Sequence, residues 1–301
     1  MFKISSFYKF FPIHKDALNR QKSKLINSCK DLKVTGLALI SEEGLNATVC
    51  GKEQQIENIK KQLCHLFNQD FFWKDSYSPT LAFKRLSVKI KKEIINTGTA
   101  CPPPVKKKGH LSPQEWEEKL KNKVQILDVR NFYEVELGRF QGAKDLNIDT
   151  FQQFSKKLDK IDINKKKETL IYCTGGIRCE KAIEIMKDKG YQKVYQLDGG
   201  ILNYLKEFPH SHFKEECFVF DHRVALNQAL SASGRYSLCP HCGQPGDQDM
   251  SCAHCEKPCV ICKKCQKKSI HYKTCSKNCA YHFKQGHICH KKYQTSSPTK
   301  I

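Results

Sequence analysis

Along the first part of the chain the spacing of apolar and polar positions switches repeatedly between two periods. Alternation over Lys3 to Phe10 predicts a strand, and a spacing of three and four over Lys15 to Cys29 predicts a helix. Lys33 to Ile40 and Leu45 to Cys50 predict a hairpin turning at Glu42-Glu43-Gly44, followed by a helix over Glu53 to Phe67 and a strand over Ala82 to Ile95. From Gln114 the pattern becomes short apolar strands alternating with helices: helix Gln114 to Leu120, strand Gln125 to Val129, a helical stretch after Phe151, strand Thr169 to Cys173, helix Cys179 to Lys189 and strand Lys193 to Leu197. In the last quarter this periodicity fades and large aliphatic residues become few.

The order βαββαβ predicts a ferredoxin-like (acylphosphatase-like) α+β domain over residues 1–96, an arrangement shared by many functions. Its GLNATVCG stretch places small residues beside a strand, which fits either close approach to a ligand or simple closure of the hairpin. Residues 97–113 contain Pro102-Pro103-Pro104 followed by Lys106-Lys107-Lys108, an extended linker rather than core. At its end Ser112, Pro113 and Glu115 have the N-cap, N1 and N3 chemistry of a helix start. Strands alternating with helices over 114–210 predict an α/β domain on a parallel sheet, whose reactive loops lie at the carboxyl ends of strands.

Composition narrows the classes. The 301 residues allow two or three domains, and 39% hydrophobic with 28% charged residues argues against wholesale disorder. No run of 18 apolar residues is present, which excludes a transmembrane helix, and the opening MFKISSFYKFF lacks the apolar core of a secretory signal, so a cytoplasmic protein is expected. The net charge of +21 divides as +8, +5 and +8 over residues 1–100, 101–210 and 211–301. From Lys257 onward there are eleven lysines and no acidic residue, a density that suits a phosphate backbone and also a merely solvated, lysine-rich surface. In a reducing compartment the 17 cysteines point to metal binding or catalysis rather than disulfides.

The sequence LIYCTGGIRCEKA puts Cys173 at the end of a predicted strand, four residues (Thr174, Gly175, Gly176, Ile177) before Arg178. The glycines let the loop curl so that backbone N–H groups face the sulfur, while a helix N-terminus and Arg178 add positive potential. Each favours the thiolate, making Cys173 a candidate nucleophile. No histidine occurs between His110 and His210, so activation falls to the loop itself or to another domain. A phosphatase loop would hold five residues between Cys and Arg; four make a tighter cradle suited to sulfane sulfur or a small sulfur oxyanion. Cys179, just past Arg178, fits either a resolving thiol or a packing role at the helix start.

Ten cysteines lie from Cys239 to Cys289, with six of the twelve histidines from His241 to His290. The spacings Cys239-x2-Cys242, Cys252-x2-Cys255, Cys259-x2-Cys262-x2-Cys265 and Cys275-x3-Cys279 each present paired thiols to one face of a tetrahedral ion, followed by His282, His287, Cys289 and His290. Residues 211–301 are therefore expected to be a zinc-binding region stabilised by one or two structural ions, with the pairing of ligands open.

These motifs carry a family resemblance. LDVRNFYEVELGRFQGAKDLNI, CTGGIR and LDGGILNYLKE resemble the opening signature, active loop and closing element of rhodanese domains. That resemblance implies a persulfide on Cys173, with Asp128 and Arg130 ordering the site and Glu134 nearby. Arg139-Phe140-Gln141 stands where the family often has His-Ile-Pro. With the EEGLNATV hairpin before and CFVFDHRVAL and the cysteine-rich region after, nearly the whole chain resembles the bacterial rhodanese-domain tRNA uridine hydroxylases. It implies oxygen-dependent conversion of wobble uridine 34 to 5-hydroxyuridine, with tRNA as partner, oxygen as cosubstrate and a sulfur donor protein as a further candidate partner. No flavin or nicotinamide motif accompanies it. Two other readings remain: a sulfurtransferase passing sulfane sulfur from Cys173 to a tRNA or protein, and a zinc-stabilised RNA-binding or adaptor protein with a vestigial rhodanese domain.

Overall fold

The computed structural model describes residues 1–104, 109–287 and 289; the linker lysines Lys106 to Lys108, His290 and the last lysines lie outside the described residues. The chain forms two compact units, the first of Met1–Asp221 with Ala225–Ala232, the second of His222–Val224 with the residues from Ser233 onward.

The first unit opens with strand β1 (Phe2–Phe10), helix α1 (Leu18–Asp31), strands β2 (Thr35–Ser41) and β3 (Gly44–Gly51), helix α2 (Glu53–Phe67) and strands β4 (Lys74–Ser78) and β5 (Leu86–Ile90). The sheet order is β4-β1-β3-β2-β5, the ferredoxin-like arrangement with one added edge strand. The strand expected over Ala82 to Ile95 is only β5, and it does not close the fold: it runs parallel to β2, while β4 pairs with β1 at the other edge. The KDSYS sequence of β4 has no apolar run, and its pairing with β1 is made by the backbone. Gly44 has φ +139, and a Cβ there would sit 2.1 Å from the Lys9 carbonyl oxygen, so the GLNATVCG stretch serves strand closure. Phe7, Leu25, Ile40, Ile56, Ile59 and Leu63 fill the core between the sheet and its two helices.

The second layered domain of this unit contains β6 (His110–Leu111), α3 (Pro113–Leu120), β7 (Gln125–Asp128), α4 (Phe132–Val135), β8 (Gly138–Phe140), β9 (Lys144–Asp145), α5 (Phe154–Leu158), β10 (Thr169–Tyr172), α6 (Ile177–Asp188), β11 (Val194–Leu197) and α7 (Gly200–Glu207). Strands β6-β11-β10-β7-β9 form a wholly parallel sheet with β10 at its centre. All four residues of β10 are buried, as a strand covered on both faces requires. The capping box at α3 forms as expected: the Glu115 N–H donates to Ser112 Oγ at 3.2 Å, and the Ser112 N–H donates to the Glu115 carboxylate at 2.8 Å. Short strands β12 (Phe213–Glu215), β13 (Cys217–Phe218) and β14 (Ala225–Leu226) follow, β12 pairing with β8 and β13 with β14.

A buried lysine ties the two domains of this unit together. Lys181 of α6 is fully buried; its Nζ donates to Glu43 at 2.6 Å, to Glu93 at 3.1 Å and to the Cys101 carbonyl at 3.0 Å. Such a cation is stable only because three acceptors replace its water.

The second unit is built from β15 (Ser237–Leu238), β16 (Pro245–Gly246), β17 (Gln248–Ser251), β18 (Pro258–Ile261), α8 (Lys263–Gln266) and α9 (Lys277–Lys284). Its small core consists of Cys239, Ile261, Cys262 and Cys265, with Met250, Cys259 and Tyr272 packed against them. Among the described residues no helix is long and apolar enough to cross a membrane.

Candidate active site

Strand β10 delivers Cys173 directly into the turn before α6. The helix begins at Ile177, so Arg178 and Cys179 belong to its first turn; the sequence pattern had started it at Cys179. Gly176 adopts φ +99, and its N–H donates to Cys173 Sγ at 3.1 Å. A side chain at Gly176 would be strained by that φ and would place a Cβ 2.7 Å from Tyr8 Oη. Behind the loop, the N–H groups of Ile201 and Leu202 donate to the carbonyls of Cys173 and Thr174 at 3.0 and 3.1 Å. This close approach needs Gly200: a Cβ there would lie 2.4 Å from the Cys173 oxygen.

Cys173 is fully buried, and burial alone raises a thiol pKa. Here that effect is outweighed by the Cys179 thiol, the Arg178 charge and the backbone N–H groups of Cys179 and Arg178, which together bring Cys173 down to about 6. Cys179 moves the opposite way, pushed well above the ordinary thiol range by burial and by its hydrogen bond to the Cys173 sulfur. The two cysteines thus divide a single role, one as thiolate and the other as proton-bearing donor.

Arg178 is fixed by Glu134, its Nη1 and Nη2 donating to the two carboxylate oxygens at 2.5 and 2.8 Å, both side chains buried. Thr174 Oγ1 lies 3.3 Å from both Glu134 Oε2 and Arg178 Nη2. Asp128 and Arg130 form a second buried pair, with Arg130 Nε at 2.9 Å and Nη2 at 2.6 Å from the carboxylate and Nη2 also donating to the Gly138 carbonyl at 2.6 Å. This pair braces the end of β7 against β8. The loop residues Thr174 to Ile177, with Arg178, Glu134 and Cys179, are therefore brought together around Cys173, while Asp128 and Arg130 act through the neighbouring strand end.

The sequence pattern missed a wall supplied by the amino-terminal domain. The Tyr8 hydroxyl donates to Glu180 Oε1 at 2.8 Å, and Lys74 Cε would lie 3.6 Å from a Cβ built on Gly175. Lys74 Nζ sits 4.8 Å over the Tyr8 ring and 5.5 Å over the Phe72 ring. His110 faces Glu180, with 3.0 Å between Nε2 and Oε1. Tyr8, Lys74 and His110 lie about 70 to 170 positions from the loop and helix they approach, and no local spacing signals them.

In the second unit two clusters emerge: Cys239, Cys242, Cys262 and Cys265, and Cys252, Cys255, Cys275 and Cys279, with all four sulfurs of each within 4.8 Å of one another. The first and third pairs along the chain share one cluster, the second and fourth the other. Sulfur separations of 3.4 Å (Cys242 to Cys262), 3.7 Å (Cys255 to Cys275) and 3.5 Å (Cys275 to Cys279) approach the edge of about 3.8 Å set by a tetrahedral zinc–sulfur bond of about 2.3 Å. The donor set fits zinc. Cys259 belongs to neither cluster and is pushed up to about 11, chiefly by burial. His282 and His287 face each other, Nδ1 to Nδ1 at 3.0 Å, also outside both clusters.

Comparison with known proteins places these features in context. Residues 2–94 match the UPF0176 acylphosphatase-like domain, 112–207 the rhodanese-like domain and 214–297 the rhodanese C-terminal region. A tRNA uridine(34) hydroxylase of Bdellovibrio bacteriovorus is 41% identical over 99% of this chain and 86% of its own length. Proteins of that name from Prochlorococcus marinus and a Picosynechococcus species are 39% and 37% identical, over 81% and 84% of this chain and 82% and 90% of their own lengths.

Proposed function

Because this chain belongs to the tRNA uridine(34) hydroxylase family, we propose that it converts the wobble uridine of tRNA to 5-hydroxyuridine, with molecular oxygen as cosubstrate and Cys173 as the reacting thiol. The observation that carries this reading is the Cys173 cradle: a buried thiol whose pKa is brought down to about 6 by Cys179, Arg178 and backbone N–H groups. The balance is uridine plus oxygen, two electrons and two protons giving 5-hydroxyuridine and water. The enzyme is thus an oxidoreductase that draws two reducing equivalents per turnover from a pair of thiols oxidised to a disulfide or from another two-electron donor. The four residues between Cys173 and Arg178 are the spacing suited to a sulfane sulfur, so Cys173 in its persulfide form, loaded by a sulfur donor protein, is part of the proposal.

Arg178 and the loop N–H groups hold the sulfur anion, Glu134 keeps Arg178 in place, and Cys179 retains a proton within reach of the sulfur. Zinc at the two four-cysteine clusters would supply folding stability to the second unit, a structural role apart from the chemistry. The basic chain supplies sequence-independent attraction for the tRNA backbone, and a cytoplasmic location follows from that substrate.

The test is nucleoside mass spectrometry of tRNA from a deletion strain carrying the wild-type gene or Cys173→Ala. The expected result is 5-hydroxyuridine with the wild type and none with the variant. Thiolated nucleosides that depend on Cys173, in place of 5-hydroxyuridine, would favour the sulfurtransferase reading instead.

A further inference from the structure

Apolar side chains are normally withdrawn from water, yet two large aromatic rings near the Cys173 loop stay open to it: Phe72 is 48% exposed and Phe220 is 56% exposed. Both are tied to the loop by contacts. Phe72 Cε1 lies 3.0 Å from a Cβ built on Gly199, whose neighbour Gly200 packs on the carbonyls of Cys173 and Thr174. Phe220 lies under the Arg178 guanidinium at 5.7 Å and packs edge-on against Phe218 at 4.9 Å. The Phe218 carbonyl is in turn 3.5 Å from Thr174 Oγ1. One ring comes from the amino-terminal domain and the other from the strand region after the parallel sheet. Beside Phe72 stands Lys74, its ammonium 5.5 Å over the ring.

We infer that Phe72 is the stacking platform for the target base, with Phe220, held against Arg178, as a second ring at the loop, so that the amino-terminal domain completes the active site. The inference rests on the proposed action upon a tRNA uridine and adds the residues that hold the base. Recognition of unpaired RNA bases relies on aromatic faces flanked by cations, because stacking replaces the neighbours that a base loses when it leaves its own stack. Phe72 and Phe220 differ from core rings such as Phe7 and Phe140 in pairing their exposure with contacts to the Cys173 loop. Lys74 stands over the Phe72 ring and brings positive charge toward the loop. Because both rings are tied to the loop that carries the reacting thiol, a single nucleobase is the occupant assigned to them.

The experiment measures binding of the full-length protein to a synthetic anticodon stem–loop with uridine at the wobble position and to the same stem–loop with an abasic site there. Stacking of one base is expected to give the wild type a preference of about tenfold or more for the uridine form. Phe72→Ala is expected to reduce that preference to near one, and Phe72→Trp to retain it. The Cys173 alkylation profile against pH is expected to be the same in all three proteins, which separates lost stacking from a damaged loop. Full preference in Phe72→Ala, or no preference in the wild type, overturns the inference. Formation of 5-hydroxyuridine in cells reports on the hydroxylase reading separately: a wild type that shows the preference but makes no 5-hydroxyuridine would sink that reading and leave the stacking assignment standing.

Discussion

Replacing Cys179 with alanine removes the first of the favourable contacts that keep Cys173 ionised. Cys173 is fully buried and yet titrates at about 6; burial opposes its ionisation, and the Cys179 thiol leads the groups that outweigh it. A hydrogen bond to an ionised group contributes about 1.5 to 3 kcal/mol, and one pKa unit corresponds to about 1.4 kcal/mol, so losing this donor should raise the Cys173 midpoint by about one to two units. The assay is the rate of iodoacetamide alkylation as a function of pH, with the Cys173 peptide followed by mass spectrometry so that the other thiols do not interfere. In the wild type the rate should rise with pH around a midpoint of about 6. In Cys179→Ala the midpoint should move to about 7 to 8, whereas Cys179→Ser, which keeps an O–H donor, should stay close to the wild type. An unchanged midpoint in the alanine variant would refute the division of roles between the two thiols, and equal shifts in both variants would assign the effect to packing.

Glu134→Ala leaves the Arg178 guanidinium buried without its carboxylate, and the loss of stability measured by urea unfolding should be about 3 to 5 kcal/mol. Because the folded-state pKa of Cys173 lies below the ordinary thiol value of about 8.5, its ionisation favours the folded state above that value. This contribution declines as pH falls and is gone below about 6, so the stability difference between wild type and Cys173→Ala should shrink over that window in denaturant titrations. Metal analysis of the purified protein should find two zinc ions per chain; Cys242→Ser and Cys255→Ser should each remove one, and Cys259→Ser none.

The parts of this molecule that were legible in its sequence are those governed by near neighbours. The CTGGIR loop is readable because strand, glycines, arginine and helix start follow one another within a few residues. The Ser112 cap is readable because its partner is three residues away. Strand β4 was not, since its polar side chains carry no apolar period and its place at the sheet edge depends on backbone pairing with β1. The Glu134 to Arg178 ion pair joins positions 44 apart within one domain, and the Lys181 clamp and the Tyr8, Phe72 and Lys74 wall join segments that meet only after two domains have folded. The cysteine pairs were visible, but their interleaving was not, because spacing within a pair says nothing about which distant pair completes the ion.

That interleaving also bears on the charge. With zinc bound, each four-thiolate site carries a net charge of about −2, so the formal +21 falls to about +17 and the share carried by residues 211–301 from +8 to about +4. A tRNA backbone held by the lysines should bind more weakly as salt rises.

The central claim is that Cys173 directs transfer of an atom from molecular oxygen to the wobble uridine. Its most direct test is isotopic: cells lacking the native gene and carrying either wild type or Cys173→Ala are grown under oxygen-18 gas, and tRNA nucleosides are analysed by mass spectrometry. The wild type should yield 5-hydroxyuridine bearing the heavy isotope, and Cys173→Ala should yield none. Unlabelled 5-hydroxyuridine from the wild type, or labelled product from the variant, would contradict the account.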